Sequence, residues 1–448
     1  MRSDATSPPV TSLATSVSSR WAYVITAVLL IGIVAGSPNF RPTSHPQASP
    51  FAGDFLQEWI AGHMLRQGDH AKFYDPEYAK HWEHRTEIVG LEWSHDEYFP
   101  MVYPPFYYAW VLPLSYLSFT TAAYVWLSIL LLAYFAAWRI FVCLPGSSNN
   151  PPHAFLLPLS LLFVPLIENI TSCQKGTLLL LVLTATYALL TRGRPFSAGL
   201  VFGLMAFKPQ FALPLAVVML CKQQWRFVLG GLTTGTLLAG VCWLMSQDLC
   251  TQYIAFSRHA TDYMQNGGYD LTKSHALYGS LTLLLGQGSI TPLVQAVTGV
   301  AALLTLGMVA LVWRGPLCFH HARFQSQFAV LIIATILLSP HVYTYDLTML
   351  LLPMGLLARE AFASHAVQPA SWRPAQAFGW IAITLFVSAG FSPRLASFSG
   401  VQITVPLMLL FLLTAVWEQL QQPVGQSNPL LTDYCFNDKR HPNWQAFH

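Results

Sequence analysis

FTTAAYVWLSILLLAYFAAWRIFV, Phe119 to Val142, is a run of 24 residues whose one charge, Arg139, stands close to its end. As a helix it measures about 36 Å, enough to cross a hydrocarbon core of about 30 Å. Working outward, apolar segments recur at about 22–38, 154–168, 174–191, 196–208, 210–221, 226–246, 291–313, 326–339, 343–358, 376–391 and 401–418. Together with 119–142 they predict an all-α polytopic membrane protein with about twelve transmembrane helices. Composition agrees: 54% of the 448 residues are hydrophobic, 10% are charged, and mean hydropathy is +0.45. The pattern is not the alternation of an outer-membrane barrel. The net charge of +3 is scattered over loops, and Lys439-Arg440 is too short a basic run for nucleic acid.

Residues 1–20, rich in Ser, Thr and Pro, read as a disordered cytoplasmic N-terminus. Residues 21–421 form the membrane domain, with large external loops at about 39–118 and 247–290, and 422–448 form a cytoplasmic tail. The first apolar run is expected to stay as an uncleaved signal-anchor helix. Orientation rests on parity. If 104–118, apolar but interrupted by Pro113, only dips into the surface, then Arg139, Arg192/Arg194, Lys222/Arg226, Arg314/Arg323 and Arg359/Arg373 all face the cytoplasm. That is the arrangement favoured by the Lys/Arg bias of short loops. Fifteen of the twenty acids then fall outside, ten of them in residues 39–102.

This orientation gathers Asp54, Glu58, Tyr103, Gln174, Lys175, Lys208, Gln210, Lys273, His341, Tyr345 and Asp346 at one membrane face. Polar groups at membrane depth are costly unless they pair or line a wet cavity. Asp54 reads either as the N-cap of a surface helix or as a general base taking a proton from a hydroxyl. Glu58, one turn on, shares its face and either orients the base or acceptor or is simply solvated. Lys208, beside the helix-breaking Pro209, either snorkels or neutralises a phosphate, and Lys175 and Lys273 offer cations at the same level. Lys175 also opens a helix, where free N–H groups favour anions. His341 pairs with Asp346, donates to a phosphate, or belongs to a turn network. Tyr103, Gln210, Tyr345 and Asp346 line the cavity, with Tyr103 before Pro104-Pro105 as a rigid lip or an interfacial aromatic. The seven cysteines are single; Cys173 and Cys250 fall on the external side, where a bridge between them could form, although spacing alone does not support it. His81 and His84 lie near Glu83 and Glu87, without metal-site spacing. No P-loop or GxGxxG stands in the right context. A transporter or lipid flippase is the competing class, although no internal repeat is visible.

Asp54-Phe55, Tyr103-Pro104-Pro105, Cys173-Gln174-Lys175-Gly176, Ala198–Gly203 running to Phe207-Lys208-Pro209-Gln210, Gln224-Trp225-Arg226, and Ser339-Pro340-His341 with Tyr345-Asp346 recur in consistent order from about 21 to 418. Together they resemble glycosyltransferase family 87, the GT-C-fold mannosyltransferases that use polyprenyl-phosphate mannose. The resemblance implies a GT-C-like fold in the bacterial inner membrane with its active site on the external, periplasmic side. The implied partners are a polyprenyl-phosphate-linked sugar (mannose or another hexose or pentose), a lipid or glycan hydroxyl acceptor, and membrane lipids. Asp54 matches the position of the family's base. Gln174-Lys175-Gly176 departs from the expected Gln-Asn-Gly by adding a cation. The expected catalytic set is Asp54, Glu58 and His341. Lys208, Lys175, Lys273 and Gln174 are expected to bind the donor phosphate. With cations neutralising the phosphate, no metal or other cofactor is needed, and a single displacement inverts the sugar.

Overall fold

A computed structural model describes residues 10–40, 51–90, 92–93, 98–144, 153–258, 270–320, 322–365 and 374–421. Among these the chain is helical and has no strand. The helices are α1 (Val10–Gly36), α2 (Phe55–Arg66), α3 (Pro76–Glu83), α4 (Thr86–Val89), α5 (Pro105–Val111), α6 (Phe119–Val142), α7 (His153–Leu159), α8 (Val164–Thr171), α9 (Gly176–Leu190) and α10 (Pro195–Gly203). They continue as α11 (Pro209–Cys221), α12 (Trp225–Met245), α13 (Gln247–Arg258), α14 (Leu277–Gly286), α15 (Pro292–Val312), α16 (Ala322–Leu338), α17 (Leu351–His365), α18 (Pro374–Ser388), α19 (Ser392–Ser399) and α20 (Thr404–Gln421).

Among the described residues, α6, α12 and α15 are each long and apolar enough to cross a bilayer. Two bent pairs raise the number to five if each counts as one span: α8 with α9 at 119°, and α18 with α19 at 75°. Several shorter apolar helices pack among them. Leu132, Leu237, Leu244 and Leu303 stand exposed on the outer faces, as expected of an integral membrane protein whose helices are solvated by lipid tails.

Two expectations need adjusting. α1 begins at Val10, so residues 10–20 belong to its backbone helix instead of a disordered N-terminus, while 1–9 and 422–448 lie outside the described residues. The segment read as 154–168 is broken: α7, a 3-10 turn Ser160–Leu162, and α8 starting beyond Phe163. Pro158 and Pro165 account for the interruptions, since each lacks an N–H and disfavours a continuous helix.

The stretch 104–118 is short. Pro104-Pro105 opens α5, and a 3-10 turn Leu112–Tyr116 follows. Together they measure about 20 Å, less than a hydrocarbon core of about 30 Å. Both pack on α2, in a layer of short helices that also holds α3. The second large loop joins this layer through α13. Gln252 accepts from the Phe73 N–H at 3.1 Å and donates to the His70 carbonyl at 2.9 Å, and the Tyr74 and Phe256 rings stack.

Small residues set the helix packing beneath. A Cβ on Gly199 would stand 2.0 Å from the Phe227 carbonyl oxygen, and one on Gly230 would stand 2.2 Å from that of Phe196. α10 and α12 therefore meet backbone to backbone, the close approach that glycines allow in membranes. This contact fixes the end of α10, where a 3-10 turn Leu204–Phe207 leads into Lys208. Lys208 is non-helical (φ −128°, ψ 73°), and Pro209 starts α11, where its missing N–H costs nothing.

The helix ends sort into two polar layers. Arg139, Arg192, Lys222, Arg314 and Arg323 mark one. There Arg192 donates to the Cys143 carbonyl at 3.0 Å, Lys222 to that of Gly315 at 2.9 Å, and Arg323 to those of Val312 and Arg314. Asp54, Lys175, Lys208 and Asp346 mark the other. Between the layers, an apolar cavity of about 570 Å³ is lined by Tyr134, Trp138, Leu180, Leu351, Gly379 and Phe386, among others.

Candidate active site

The site is built on two left-handed turns that face each other. Ala52 and Gly53 both have positive φ (60° and 55°) immediately before α2, and Cys173 (φ 52°) makes the break between α8 and α9. For Ala52 and Cys173 this conformation costs on the order of 1–2 kcal/mol each, so surrounding contacts must hold it. They do. Ala52 donates its N–H to the Asn39 carbonyl at 2.8 Å, and Asn39 in turn donates to the Thr171 carbonyl at 3.0 Å. A Cβ on Gly53 would lie 3.1 Å from Ser172 Cα, so the turns touch through their backbones.

This contact brings Gln174 and Lys175 onto the first turn of α2. Asp54 occupies the N-cap position, but its side chain caps nothing. Its carboxylate instead accepts from Gln174 Nε2. Glu58 accepts from Lys175 Nζ, and its second oxygen accepts from the Tyr107 hydroxyl at 2.7 Å. The Lys175 ammonium also lies 4.4 Å from the centre of the Tyr103 ring, an added cation–π attraction. Glu58 and Lys175 are fully buried, whereas Asp54 keeps partial exposure. Of the two residues, Asp54 is therefore the less enclosed. Burial pushes its carboxyl above the usual range, and the charges of Lys175, Lys208 and Lys273 and the Gln174 bond pull it back. Glu58 is also pushed up by burial and pulled back by Lys175.

A second buried pair adjoins the first. Lys208 Nζ lies 2.6 Å from Asp346 Oδ1, and Asp346 Oδ2 accepts from the Tyr343 N–H at 3.2 Å. Asp346 thus pairs with Lys208 where the sequence left His341 as a partner. Gly176 joins the two pairs. A Cβ there would stand 2.7 Å from the Tyr345 carbonyl oxygen and 2.5 Å from Asn169 Nδ2. Only glycine lets the 173–176 turn sit against Tyr345-Asp346.

The remaining predicted residues surround this core. Tyr103 is buried, with its carbonyl accepting from Tyr74 at 2.7 Å and its N–H donating to the Tyr108 hydroxyl at 3.2 Å. Tyr345 is partly buried, its ring centre 5.5 Å from Lys208 Nζ. Gln210 is the second residue of α11 and partly buried. Lys273 is about half exposed and 3.5 Å from Asp270. The His341 ring lies 4.8 Å from that of Tyr343, tilted by 50°, and burial pushes its imidazole down to about 4. It is neutral near pH 7, a hydrogen-bonding group and not a further cation.

Two buried or half-buried groups, Glu168 and His275, escaped the sequence reading, and Glu83, noted there only as a neighbour of His81 and His84, is buried as well. Glu168, on α8, stands under the charges of Lys273, Asp54 and Asp346. His275 is fully buried, bonding Thr404 at 2.7 Å and Thr344 at 3.2 Å, so it ties the second loop to the start of α20. Glu83 is buried, accepts from the Phe99 N–H at 2.9 Å, and is pushed well up by burial. None lies in a run whose pattern marks it. Cys173 and Cys250 are free thiols, so the bridge between them does not form. His84 stacks on Trp93 at 4.3 Å. Among the described residues no three His, Cys, Asp or Glu side chains group as metal ligands.

A family model described as glycosyltransferase family 87 matches residues 101–340, more than half of the chain. The matched stretch includes Tyr103, Gln174-Lys175-Gly176 and Lys208, and stops short of Asp54 and Asp346. No curated protein and no solved structure matches the chain.

Proposed function

The chain belongs to glycosyltransferase family 87, and on that premise we propose that it moves a sugar from a polyprenyl phosphate to a hydroxyl of a lipid or glycan, with Asp54 as general base. The sugar is mannose or another hexose or pentose. The observation that carries this reading is Asp54, a partly exposed residue whose carboxylate stands under the charges of three lysines, Lys175, Lys208 and Lys273. The acceptor oxygen attacks the anomeric carbon as its proton passes to Asp54. The bond to the phosphate oxygen breaks, and its electron pair leaves with the lipid phosphate. The phosphate then carries one more negative charge, so cations fixed nearby favour the transition state over the bound substrate.

Lys208 suits the phosphate better than Lys175 does. Each is held by one carboxylate oxygen, but Lys175 is fully buried with a ring centre at 4.4 Å, whereas the Lys208 side chain keeps 5% exposure and its nearest ring centre is 5.5 Å away, so Lys208 is the less enclosed of the two. Lys273, exposed and at the rim, suits the approach of an anion. The apolar cavity below, whose lining includes Leu180 and Leu351, has room for part of a hydrocarbon chain. In this reading about twelve helices cross the membrane in a GT-C-like arrangement. The layer of Arg139, Arg192, Lys222, Arg314 and Arg323 faces the cytoplasm, consistent with the basic-loop rule, and Asp54 faces the periplasm of a bacterial inner membrane.

The test is direct. Purified protein is incubated with radiolabelled polyprenyl-phosphate sugars and membrane-lipid acceptors, and a new glycolipid is sought. Its anomeric configuration should be opposite to that of the donor. Retention would remove the single displacement, and absence of product with every donor would remove the donor class.

A further inference from the structure

Two consecutive residues of one turn grip two carboxylates that lie one helical turn apart. Gln174 holds Asp54, and Lys175 holds Glu58. We propose that Lys175 is a positioning residue for the base, forming with Gln174 a two-point clamp on the first turn of α2, and that it does not touch the donor phosphate. The proposal rests on the reading of Asp54 as general base and assigns a role within that site.

Geometry separates Lys175 from Lys273, since Lys175 is fully buried while Lys273 is half exposed. From Lys208, also paired with a buried carboxylate, Lys175 differs by complete burial and by a nearer ring, 4.4 Å against 5.5 Å. Its ammonium is enclosed by Glu58 and by the rings of Tyr103 and Tyr107, at 4.4 and 5.7 Å. A phosphate reaching it would have to displace a buried carboxylate, leaving Glu58 without its counter-charge. Glu58 is likewise closed off: its two oxygens are taken by Lys175 and Tyr107. The pair therefore has no free face for substrate. What it does have is a fixed position beside Asp54, backed by the contact of Gly53 with Ser172.

The electrostatics run the same way. Lys175 is the strongest of the charges that hold the Asp54 carboxyl down against burial, ahead of Lys208 and Lys273. From the other elements packed round the site, Glu83, Glu168, Tyr343, Tyr345 and Cys173 also respond to the Asp54 charge, as Glu58 does on its own helix. Without Lys175, Asp54 would take up its proton at higher pH, and a protonated base cannot accept the acceptor's proton.

The experiment is the pH profile of sugar transfer in K175M, K175R and the double variant K175M/E58Q. For K175M the acid limb of kcat should move up by about one to three pH units, with donor KM within about twofold of wild type. K175R should keep the limb in place. K175M/E58Q removes both buried charges, so it serves if K175M alone does not fold, and its donor KM should also stay within about twofold. A tenfold rise in donor KM, or a limb unmoved in K175M, overturns the clamp. Turnover by Asp54→Asn above about a tenth of the wild-type rate would instead overturn the general-base reading, so the two failures are distinct.

Discussion

Replacing Lys208 by Met tests whether the second ion pair is structural, catalytic or both. Lys208 and Asp346 are 2.6 Å apart, with side-chain exposures of 5% and 0%. Removing the cation leaves Asp346 buried with a single N–H donor, Tyr343, at 3.2 Å. Breaking such a pair costs about 3–5 kcal/mol, most of it the penalty of an unmatched buried charge. Lys208→Met should therefore lower the unfolding temperature in detergent. Lys208→Met/Asp346→Asn should recover most of that loss, because an amide carries no charge to strand. Catalysis should not recover with it. If the ammonium neutralises the leaving phosphate, its loss costs about 10²–10³ in kcat whether or not the fold is repaired. Thermal unfolding and transfer rates, measured on the same preparations, separate the two. A double variant that regains both stability and turnover would show that Lys208 serves only to match Asp346, and the phosphate role would fall.

Other outcomes follow from the same contacts. Gly176→Ala puts a methyl 2.7 Å from the Tyr345 carbonyl and 2.5 Å from Asn169 Nδ2. Overpacking of this kind costs about 1–3 kcal/mol, and the shift it forces on Tyr345-Asp346 should cut kcat/KM by about 10²-fold; a wild-type rate would mean the turns are not coupled. Glu83 is pushed well above the usual carboxylate range, so its contribution to stability is full at low pH and is lost as pH rises through the folded value. Glu83→Gln should therefore unfold near the wild-type temperature at pH 4 and above it at pH 8; parallel curves for the two proteins would contradict a buried neutral Glu83.

The membrane character was legible because it is local. A run such as Phe119–Val142 needs no partner to be recognised, and the short, proline-broken 104–118 declares its shortness. The residues of the site were legible as types, since a Lys between two apolar stretches is conspicuous. Their pairing was not. Glu58 meets Lys175 across 117 residues, and Lys208 meets Asp346 across 138; no periodicity carries such contacts. The left-handed Ala52 and Cys173 were hidden too, because neither residue type signals positive φ. Asp54 looked like a helix cap by its neighbours, and only the approach of Gln174 shows where its carboxylate goes. Gly199 carried a readable hint, since a glycine inside an apolar helix marks a close helix neighbour.

The most direct measurement is the transfer rate of Asp54→Asn, in protein that inserts and unfolds like wild type, with a labelled polyprenyl-phosphate sugar. The amide preserves shape and can still meet Gln174, but it cannot take a proton, so a loss of about 10²–10⁴-fold is expected. A variant that keeps more than about a tenth of the wild-type rate, against the loss expected of a general base, would contradict the account.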